Sequence, residues 1–475
     1  MENRSQRPIP PLSKRSNDEP TKQFFAQATG KRVATDVIIA KAIQQQYPKL
    51  KLSIVEAYNC DLHDFAASGH ASLTVLDDAD DGIPSSLEWK AYLPPARRMD
   101  GHVGDLVELP KFGKYLYTWN EEDYIVYLVD GRDGVESYPQ VANYYILSTD
   151  EELAEELLLA VGKWGSDLHD EIWVFDGGFW QKNFELYESA RNSSWDAVIL
   201  DKEMKDAIIE DHLSFFRSRD TYAGLKVPWK RGIIYYGPPG NGKTISIKAT
   251  MNMLYSMNPP IPTLYVRSLT SFSGPEASIN QVFSKAREFA PCYLVFEDLD
   301  TIVTDEVRSY FLNEMDGLKS NDGIFVVGST NYLDQLDPGI SKRPSRFDRK
   351  YLFPDPNLSQ RVAYGHFWQG KLASNKNIEF PDKLCDAIAE ITDGFSFAYM
   401  QEAFVAALLA IARNEKPAGA QGDARVLTRD LGDDEWVQVL GKAIEGDADL
   451  QKLVLWVEIK KQIAILREGM EEKKI

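Results

Sequence analysis

Residues 237–244 combine glycines with a lysine and a hydroxyl side chain in the order GPPGNGKT. This order matches GxxxxGK[ST], in which backbone N–H groups surround a β-phosphate, the lysine reaches the β- and γ-phosphates, and the hydroxyl binds Mg²⁺. An apolar run, 233–236, precedes the segment and a helix-compatible run follows it, which is the context that such a loop requires. We therefore predict a nucleotide site formed by Gly237, Pro238, Pro239, Gly240, Asn241, Gly242, Lys243 and Thr244.

Three acidic residues follow a second apolar run, 292–296. They are Glu297, Asp298 and Asp300. A buried strand that ends in carboxylates can hold a metal ion and orient a water molecule beside a bound phosphate. We predict that Glu297, together with Thr244, organises Mg²⁺ and that Asp298 polarises the attacking water. The alternative is that these acids only cap the following segment.

Two further groups complete the predicted chemistry. The apolar run 324–328 leads to Asn331, which we expect to contact the γ-phosphate, with Ser329 and Thr330 as weaker candidates. The cluster KRPSRFDRK at 342–350 then supplies arginines. A guanidinium stabilises charge on a transferring phosphoryl group and can come from a neighbouring subunit. The alternative for this cluster is a solvated basic turn.

The apolar runs indicate two kinds of architecture. In the second half, the runs 233–236, 263–266, 293–296 and 324–327 alternate with helical patterns, as expected of a parallel sheet buried on both faces. One such helix is predicted from the spacing of Ile279, Val282, Phe283, Ala286 and Phe289. In the first half, short aromatic and β-branched segments bounded by Gly, Asp or Pro predict strands joined by tight turns, with a helix over 149–164. The first half is therefore predicted to be α+β and the second α/β.

The charge is distributed unevenly along the 475 residues. The total is 53 Lys+Arg against 72 Asp+Glu, a formal net charge of −19. Residues 51–200 alone hold 10 basic and 29 acidic side chains. A block this acidic repels a phosphate backbone, so we expect no nucleic-acid partner. Three widely spaced cysteines are no disulfide framework, and no segment has the length and composition of a transmembrane helix, so we predict a cytoplasmic protein, with the nucleus or the mitochondrial matrix as alternatives.

Together these motifs resemble an AAA-type ATPase module over residues 195–415. GPPGNGKT is similar to its Walker A motif, LVFED to Walker B, GSTN to sensor 1, and LDPGISKRPSRFDRK to its second region of homology. The resemblance implies that Arg343 and Arg346 are arginine fingers, that Asp298 is catalytic, and that a helical lid includes residues 393–404. It also implies ATP and Mg²⁺ as cofactors and a homo-oligomeric ring with each nucleotide at a subunit boundary.

The chain departs from the family pattern at two places. Most AAA proteins have Asp-Glu at the end of Walker B, whereas this chain has Glu297-Asp298, and that order resembles the subgroup typified by the mitochondrial Rieske-protein translocase. That translocase carries an N-terminal transmembrane helix that is not predicted here, so its membrane location and substrate do not carry over. The second departure is Phe272-Ser273-Gly274, where many AAA machines have an aromatic–hydrophobic–Gly tripeptide in the central pore. Phe272 either grips a substrate or packs locally.

We predict the following organisation. A P-loop NTPase α/β sheet with a C-terminal helical lid follows a separate acidic α+β domain. The predicted boundaries are a flexible tail at 1–30, an acidic domain at 31–194 for client or partner recruitment, an ATPase core at 195–356, a lid at 357–445 and a C-terminal helix at 446–475.

The predicted function is ATP hydrolysis in an oligomeric ring, coupled to chaperone-like remodelling or translocation of a protein client. Two alternatives remain open. One is a nucleic-acid motor or loader, against which the acidic block argues. The other is an ATP-binding scaffold with little turnover, which only the Glu297-Asp298 order favours.

Overall fold

The computed structural model of the protein describes residues 35–76, 86–95, 103–132, 140–317, 319–343, 346–414 and 449–471. The predicted tail, 1–30, and residues 415–445 of the predicted lid lie outside these ranges. The chain divides into two compact units, residues 1–167 and 168–475. Each unit is described by itself below.

In the first unit, the described residues form a six-stranded antiparallel sheet with the order β1-β6-β5-β4-β2, and β3 pairs with β4. Its elements are α1 (Thr35–Gln46), β1 (Lys51–Glu56), α2 (Leu62–Ala67), β2 (Ser72–Val75), β3 (Ser86–Leu93), β4 (Asp105–Trp119), β5 (Glu122–Arg132), β6 (Gln140–Ser148) and α3 (Glu151–Ser166). Alternate residues of β5 point to opposite faces of the sheet. Val126 therefore packs in one core with Leu157 of α3, and Val129 in another with Ile43 of α1.

In the second unit, the described residues form a seven-stranded sheet with the order β13-β9-β12-β11-β10-β7-β8, in which only the β7–β8 pair is antiparallel. Its strands are β7 (Ile172–Asp176), β8 (Phe179–Asn183), β9 (Arg231–Tyr236), β10 (Thr263–Val266), β11 (Cys292–Phe296), β12 (Ile324–Thr330) and β13 (Arg349–Leu352). The helices before the lid are α4 (Phe184–Arg191), α5 (Lys202–Arg217), α6 (Arg219–Leu225), α7 (Lys243–Tyr255), α8 (Pro275–Glu288), α9 (Leu299–Ile302), α10 (Arg308–Asp316) and α11 (Pro338–Ser341).

The central strands of this sheet are buried on both faces. Every residue of β11 and β12 is buried. Ile234 and Leu294 pack with Phe283 of α8 on one face, whereas Ile233 packs with Ile247 of α7 on the other. This double burial explains the continuous apolar runs in the sequence. The predicted parallel α/β sheet is confirmed.

The boundary between the two units lies earlier than the sequence indicated. The acidic domain was predicted to extend to residue 194, yet β7 pairs in parallel with β10, with Val174 opposite Tyr265. Strand β8 then pairs with β7 at the edge of the same sheet. The segment from 168 to 194 therefore belongs to the second unit. A local sequence pattern can indicate that a segment such as β7 is a strand, but it does not identify the strand with which it pairs.

The C-terminal helices share one core. They are α12 (Leu358–Leu372), α13 (Asp382–Ile391), α14 (Phe397–Asn414) and α15 (Val454–Glu471). Trp456 and Ile459 of α15 are fully buried and pack with Ile388 of α13 and Phe404 of α14. Helix α15 therefore packs in the same core as the helices of the predicted lid. Within the described ranges, none of the helices has both the length and the apolar composition needed to cross a bilayer.

At Gly232, strand β9 lies very close to the backbone of the segment that carries the arginine cluster. A Cβ atom at this position would lie 2.1 Å from the backbone oxygen of Arg346. We expect Gly232→Ala to destabilise the second unit by roughly 1–3 kcal/mol, because neither backbone can move away freely. Thermal and denaturant unfolding measure this change.

The matched control is Gly224→Ala in α6, where the added Cβ would meet no atom within 4 Å. Alanine has a higher helix propensity than glycine. This change should therefore leave the free energy of unfolding unaltered or raise it by up to about 1 kcal/mol. Equal destabilisation by both substitutions would contradict the steric explanation.

Candidate nucleotide site

The predicted phosphate loop connects β9 to α7. Gly237, Gly240 and Gly242 have φ values of +134°, +82° and +94°. L-residues rarely adopt such backbone angles. Glycine is also needed for space at Gly237, where a Cβ would lie 2.3 Å from the backbone oxygen of Phe353. These glycines let the loop turn directly into the N-terminus of α7. The free N–H groups and the partial positive charge at this helix end suit a phosphate.

The lid contacts this loop directly. The backbone N–H of Ala398, in the first turn of α14, donates to the oxygen of Gly240 over 3.1 Å. Asn241 is buried and donates through Nδ2 to Asp355 over 2.8 Å. It also accepts a hydrogen bond from the backbone N–H of Phe397 over 3.4 Å. The side chain of Asn241 thus joins the loop to both the end of the core and the start of the lid helix.

The sheet register brings the predicted site residues to one edge. Strand β12 lies between β9 and β11, with Thr330 opposite Tyr236 and Gly328 opposite Phe296. The phosphate loop follows β9, Asn331 follows β12 and the acidic residues follow β11. Because the three strands are parallel, their carboxyl ends lie at the same edge.

Glu297 begins this acidic segment and is held by a residue that sequence reasoning missed. The hydroxyl of Tyr265, on β10, donates a hydrogen bond to Oε2 of Glu297. The other carboxylate oxygen, Oε1, is buried and has no hydrogen-bond partner among the described residues. Such an oxygen is costly unless it is satisfied, and a metal ion or its water ligand would satisfy it.

Asp298 lies at a special backbone position. Its φ of +53° and ψ of +56° are left-handed. Among non-glycine residues, aspartate adopts this region more readily than glutamate, which gives a physical reason for the Glu-Asp order. Its backbone N–H donates to Oγ of Ser329 over 3.2 Å, whereas its carboxylate is exposed and does not cap α9.

The end of β12 supports the acidic segment. Ser329 holds Asp298, and the Thr330 hydroxyl donates to Oδ1 of Asp300 over 2.6 Å. Among the described residues, the half-buried side chain of Asn331 has no hydrogen-bond partner. Ser329 and Thr330 are thus engaged within the chain, which leaves Asn331 as the group at this strand end that can contact a ligand.

The electrostatics of the edge are dominated by one ammonium and three carboxylates. Lys243 is 7% exposed, and its Nζ donates to the backbone oxygens of Gly237 and Pro238 over 2.7 and 2.9 Å. Burial lowers the pKa of Lys243, and the negative charges of Asp298, Asp300 and Glu297 partly offset this effect. Thr244 is exposed in the first turn of α7. These groups fit MgATP: the loop and Lys243 suit its phosphates, and Thr244 and Glu297 suit its metal ion.

The two predicted arginine fingers differ in their surroundings. Arg346 is 8% exposed, and its guanidinium binds both carboxylate oxygens of Asp316 over 2.9 and 2.7 Å. It also donates to the oxygen of Gly339. Arg343 is 56% exposed and lies 3.5 Å from Asp316. In this conformation Arg346 is occupied within its own chain, and Arg343 has the more accessible guanidinium.

The comparison with known families identifies the class of the core. Residues 233–355 match the family model described as ATPase family associated with various cellular activities (AAA). This match starts in β9, includes the phosphate loop, the acidic segment and the arginine cluster, and ends before the lid. The chain therefore contains an AAA domain, the ATPase domain for which this family is named.

Three contacts at the site had no motif to indicate them: Tyr265 with Glu297, Arg346 with Asp316, and Asn241 with Asp355. Their partners are separated by 32, 30 and 114 positions in the sequence. The hydrophobic pattern predicted the strand that carries Tyr265, but it gave no information on where the hydroxyl points.

Lys243→Ala and Asp298→Asn should separate nucleotide binding from turnover. We expect Lys243→Ala to weaken ATP binding by roughly 10- to 100-fold, because it removes hydrogen bonds from a charged donor to the phosphates. Asp298→Asn should retain binding and lose turnover, because an amide cannot accept a proton from water. Titration calorimetry and phosphate release measure the two effects.

Lys248→Ala is the control for Lys243→Ala, since Lys248 is on the same helix but bonds to Ser189 over 3.0 Å. It should bind ATP as the unchanged chain does. If Asp298→Asn hydrolysed ATP at the unchanged rate, Glu297 or Asp300 would instead be the residue that polarises the attacking water.

Proposed function

We propose that this protein hydrolyses ATP in a ring of identical subunits and couples the reaction to remodelling or translocation of a protein client. The observation that carries the ATPase part is the meeting of buried Lys243 with Asp298, Asp300 and Glu297 beside the phosphate loop. Each group has a distinct role in this proposal. Mg²⁺, when bound with ATP, neutralises charge on the phosphate oxygens.

The residues of the chain position the reacting groups. Lys243 and the loop N–H groups hold the phosphates, while Thr244 and Glu297 hold the metal ion. The exposed carboxylate of Asp298 accepts hydrogen bonds from the attacking water, and Asn331 contacts the γ-phosphate. Ser329 and Thr330 hold the acidic segment from β12, so the water-orienting and phosphate-contacting groups are positioned by the same strand end.

The ring is proposed from the arginine cluster. No described contact joins Arg343 to its own phosphate loop or to the three carboxylates beside it, and its guanidinium is accessible. We therefore assign the finger that acts in trans to Arg343. Arg346 anchors Asp316, which in turn lies next to Arg343. In this proposal Arg343 acts in trans, whereas Arg346, which was also predicted to be an arginine finger, acts through Asp316.

The client-binding part of the proposal is supported by exposed apolar side chains in each unit. Phe272 is fully exposed in the loop after β10. The β7–β8 turn packs against this loop, since a Cβ on Gly178 would lie 2.5 Å from Cβ of Ser271. Arg267 at the start of the loop also pairs with Asp176 over 3.3 Å. A supported aromatic loop favours substrate contact over local packing.

The first unit presents a second apolar surface, which we name the β3–β4 ribbon and define as residues 86–93 and 105–112. Trp89 lies opposite Leu109, and Ala91 opposite Val107, so these side chains share one face. Trp89 is 55% exposed and Leu109 41%. Asp105 lies opposite Leu93 on the same face and has no ion-pair partner among the described residues. An apolar surface beside this carboxylate suits an extended client segment with apolar and basic residues.

This protein also fits the subgroup typified by the Rieske-protein translocase in its Glu297-Asp298 order. We propose membership of that subgroup without its substrate. The three cysteines are buried free thiols, which supports a reducing compartment such as the cytoplasm.

Mixing two inactive variants tests the ring and Arg343 together. Arg343→Ala should reduce turnover by about 10³-fold or more, and Lys243→Ala should abolish it. In an equal mixture, about a quarter of subunit boundaries should combine an intact loop with an intact finger. Phosphate release should therefore recover to roughly a quarter of the unchanged rate. Absence of recovery despite demonstrated co-assembly would rule out action in trans.

Replacing Val107 and Leu109 by threonine tests the β3–β4 ribbon while retaining strand-forming residues. A fluorescein-labelled peptide of alternating valine and lysine should bind the double variant roughly tenfold more weakly than the unchanged chain, because less apolar surface is buried. Basal hydrolysis should not change. Fluorescence anisotropy and phosphate release measure the two quantities.

The control is Leu159→Gln on α3, which removes a side chain that is 74% exposed on the same unit. It should leave peptide binding unchanged. A peptide of alternating valine and glutamate should bind weakly to all variants. Equal binding of both peptides, or no effect of the ribbon substitutions, would contradict this surface as the client site.

A further inference from the structure

We propose that Tyr265 is a positioning residue that fixes the carboxylate of Glu297, so that its second oxygen is presented to the metal ion of the nucleotide. This inference rests on the proposed ATPase function and extends it to a residue that belongs to none of the sequence motifs described above. Tyr265 does not itself contact the reacting atoms in this proposal. It acts through Glu297.

The register of β10 and β11 explains why this residue can reach Glu297. The two strands are parallel, and Tyr265 is directly opposite Val295. Glu297 lies two residues further along the chain, and side chains two residues apart share a face of the sheet. The offset is about 6.6 Å at 3.3 Å per residue. A long side chain directed towards the carboxyl edge is needed to span this offset. The side chain of Tyr265 spans it, and its hydroxyl reaches Glu297.

The two oxygens of Glu297 have different environments. Oε2 accepts the hydrogen bond from Tyr265, whereas Oε1 is buried and unpartnered among the described residues. A carboxylate oxygen in that state loses its hydration without compensation. A hard divalent cation prefers such an oxygen as ligand. The arrangement therefore leaves one oxygen for the protein and one for the metal ion.

The Glu297-Asp298 order makes such a positioning contact useful. Glutamate has one more rotatable bond than aspartate, so ordering its side chain costs more conformational entropy. A charge-assisted hydrogen bond to one oxygen offsets this cost before nucleotide binds. Tyr265 therefore compensates for the longer side chain at the metal-organising position.

Tyr265→Phe tests the proposal, because it removes the hydroxyl and retains the ring. In an Asp298→Asn background, which prevents turnover, titration calorimetry should show unchanged affinity for ATP in EDTA. The affinity for ATP with Mg²⁺ should fall by about tenfold, the effect expected for loss of one hydrogen bond to a charged group. In the chain with Asp298 intact, the Mg²⁺ concentration for half-maximal turnover should rise by a similar factor.

Two further variants keep the test decisive. Tyr222→Phe is the matched control, since Tyr222 is half-buried and its hydroxyl has no hydrogen-bond partner in the described ranges, and it should change none of these quantities. Glu297→Asp withdraws the carboxylate from Tyr265, so it should reproduce the Mg²⁺-specific defect. Adding Tyr265→Phe to Glu297→Asp should then have little further effect, as a double-mutant cycle reveals. If Tyr265→Phe alone folds poorly, the Mg²⁺-specific defect expected of Glu297→Asp still tests the proposal.

The outcomes distinguish the inference from the function on which it rests. If Tyr265→Phe weakens ATP binding equally with and without Mg²⁺, or leaves Mg²⁺ dependence unchanged, the positioning role is overturned while the ATPase function stands. If the unchanged chain neither binds nor hydrolyses ATP, both are overturned.

Discussion

The structure depends on the register of three parallel strands, β9, β12 and β11, whose carboxyl ends meet at one edge. That register brings a lysine and three carboxylates together around the phosphate loop. Charges at partly buried positions interact strongly and are costly when uncompensated. The edge has three carboxylates and one ammonium, so it favours the binding of a cation. The phosphates that accompany this cation bind with it. The surrounding contacts serve to hold these charged groups in place.

The same edge connects to the predicted lid and to the arginine cluster. Asn241 joins the phosphate loop to the first turn of the lid helix α14, and Gly240 permits the approach of Ala398. On β9, Gly232 permits the approach of the segment that carries Arg346 and its neighbour Arg343. The phosphate loop is therefore in direct contact with the predicted lid. Strand β9 connects the loop to the arginine cluster. These are the elements that a ring would use to transmit the state of one site to the next.

Beyond this core, β7 and β8 extend the sheet past β10. Their turn packs on the loop that carries Phe272, through Gly178 and the pair of Asp176 with Arg267. The extension thus adds support to the loop of an exposed aromatic residue, which Ser278 of α8 also contacts through Ser271 and Gly274. This role could not be assigned while β7 was attributed to the acidic first half of the chain.

The sequence by itself determined the features whose parts are adjacent in the chain. The phosphate loop between β9 and α7, the acids after β11 and Asn331 after β12 were all predictable, because a strand, a loop and a helix start are contiguous and a doubly buried strand has a recognisable apolar run. Tertiary structure alone decided that β7 joins the second sheet, that Arg346 is occupied by Asp316, and that Tyr265 holds Glu297. Each of these depends on strand order or on a side-chain direction, and residues with the same local pattern can differ in both. A hydrophobic pattern states that a strand is buried, but only packing selects its neighbour.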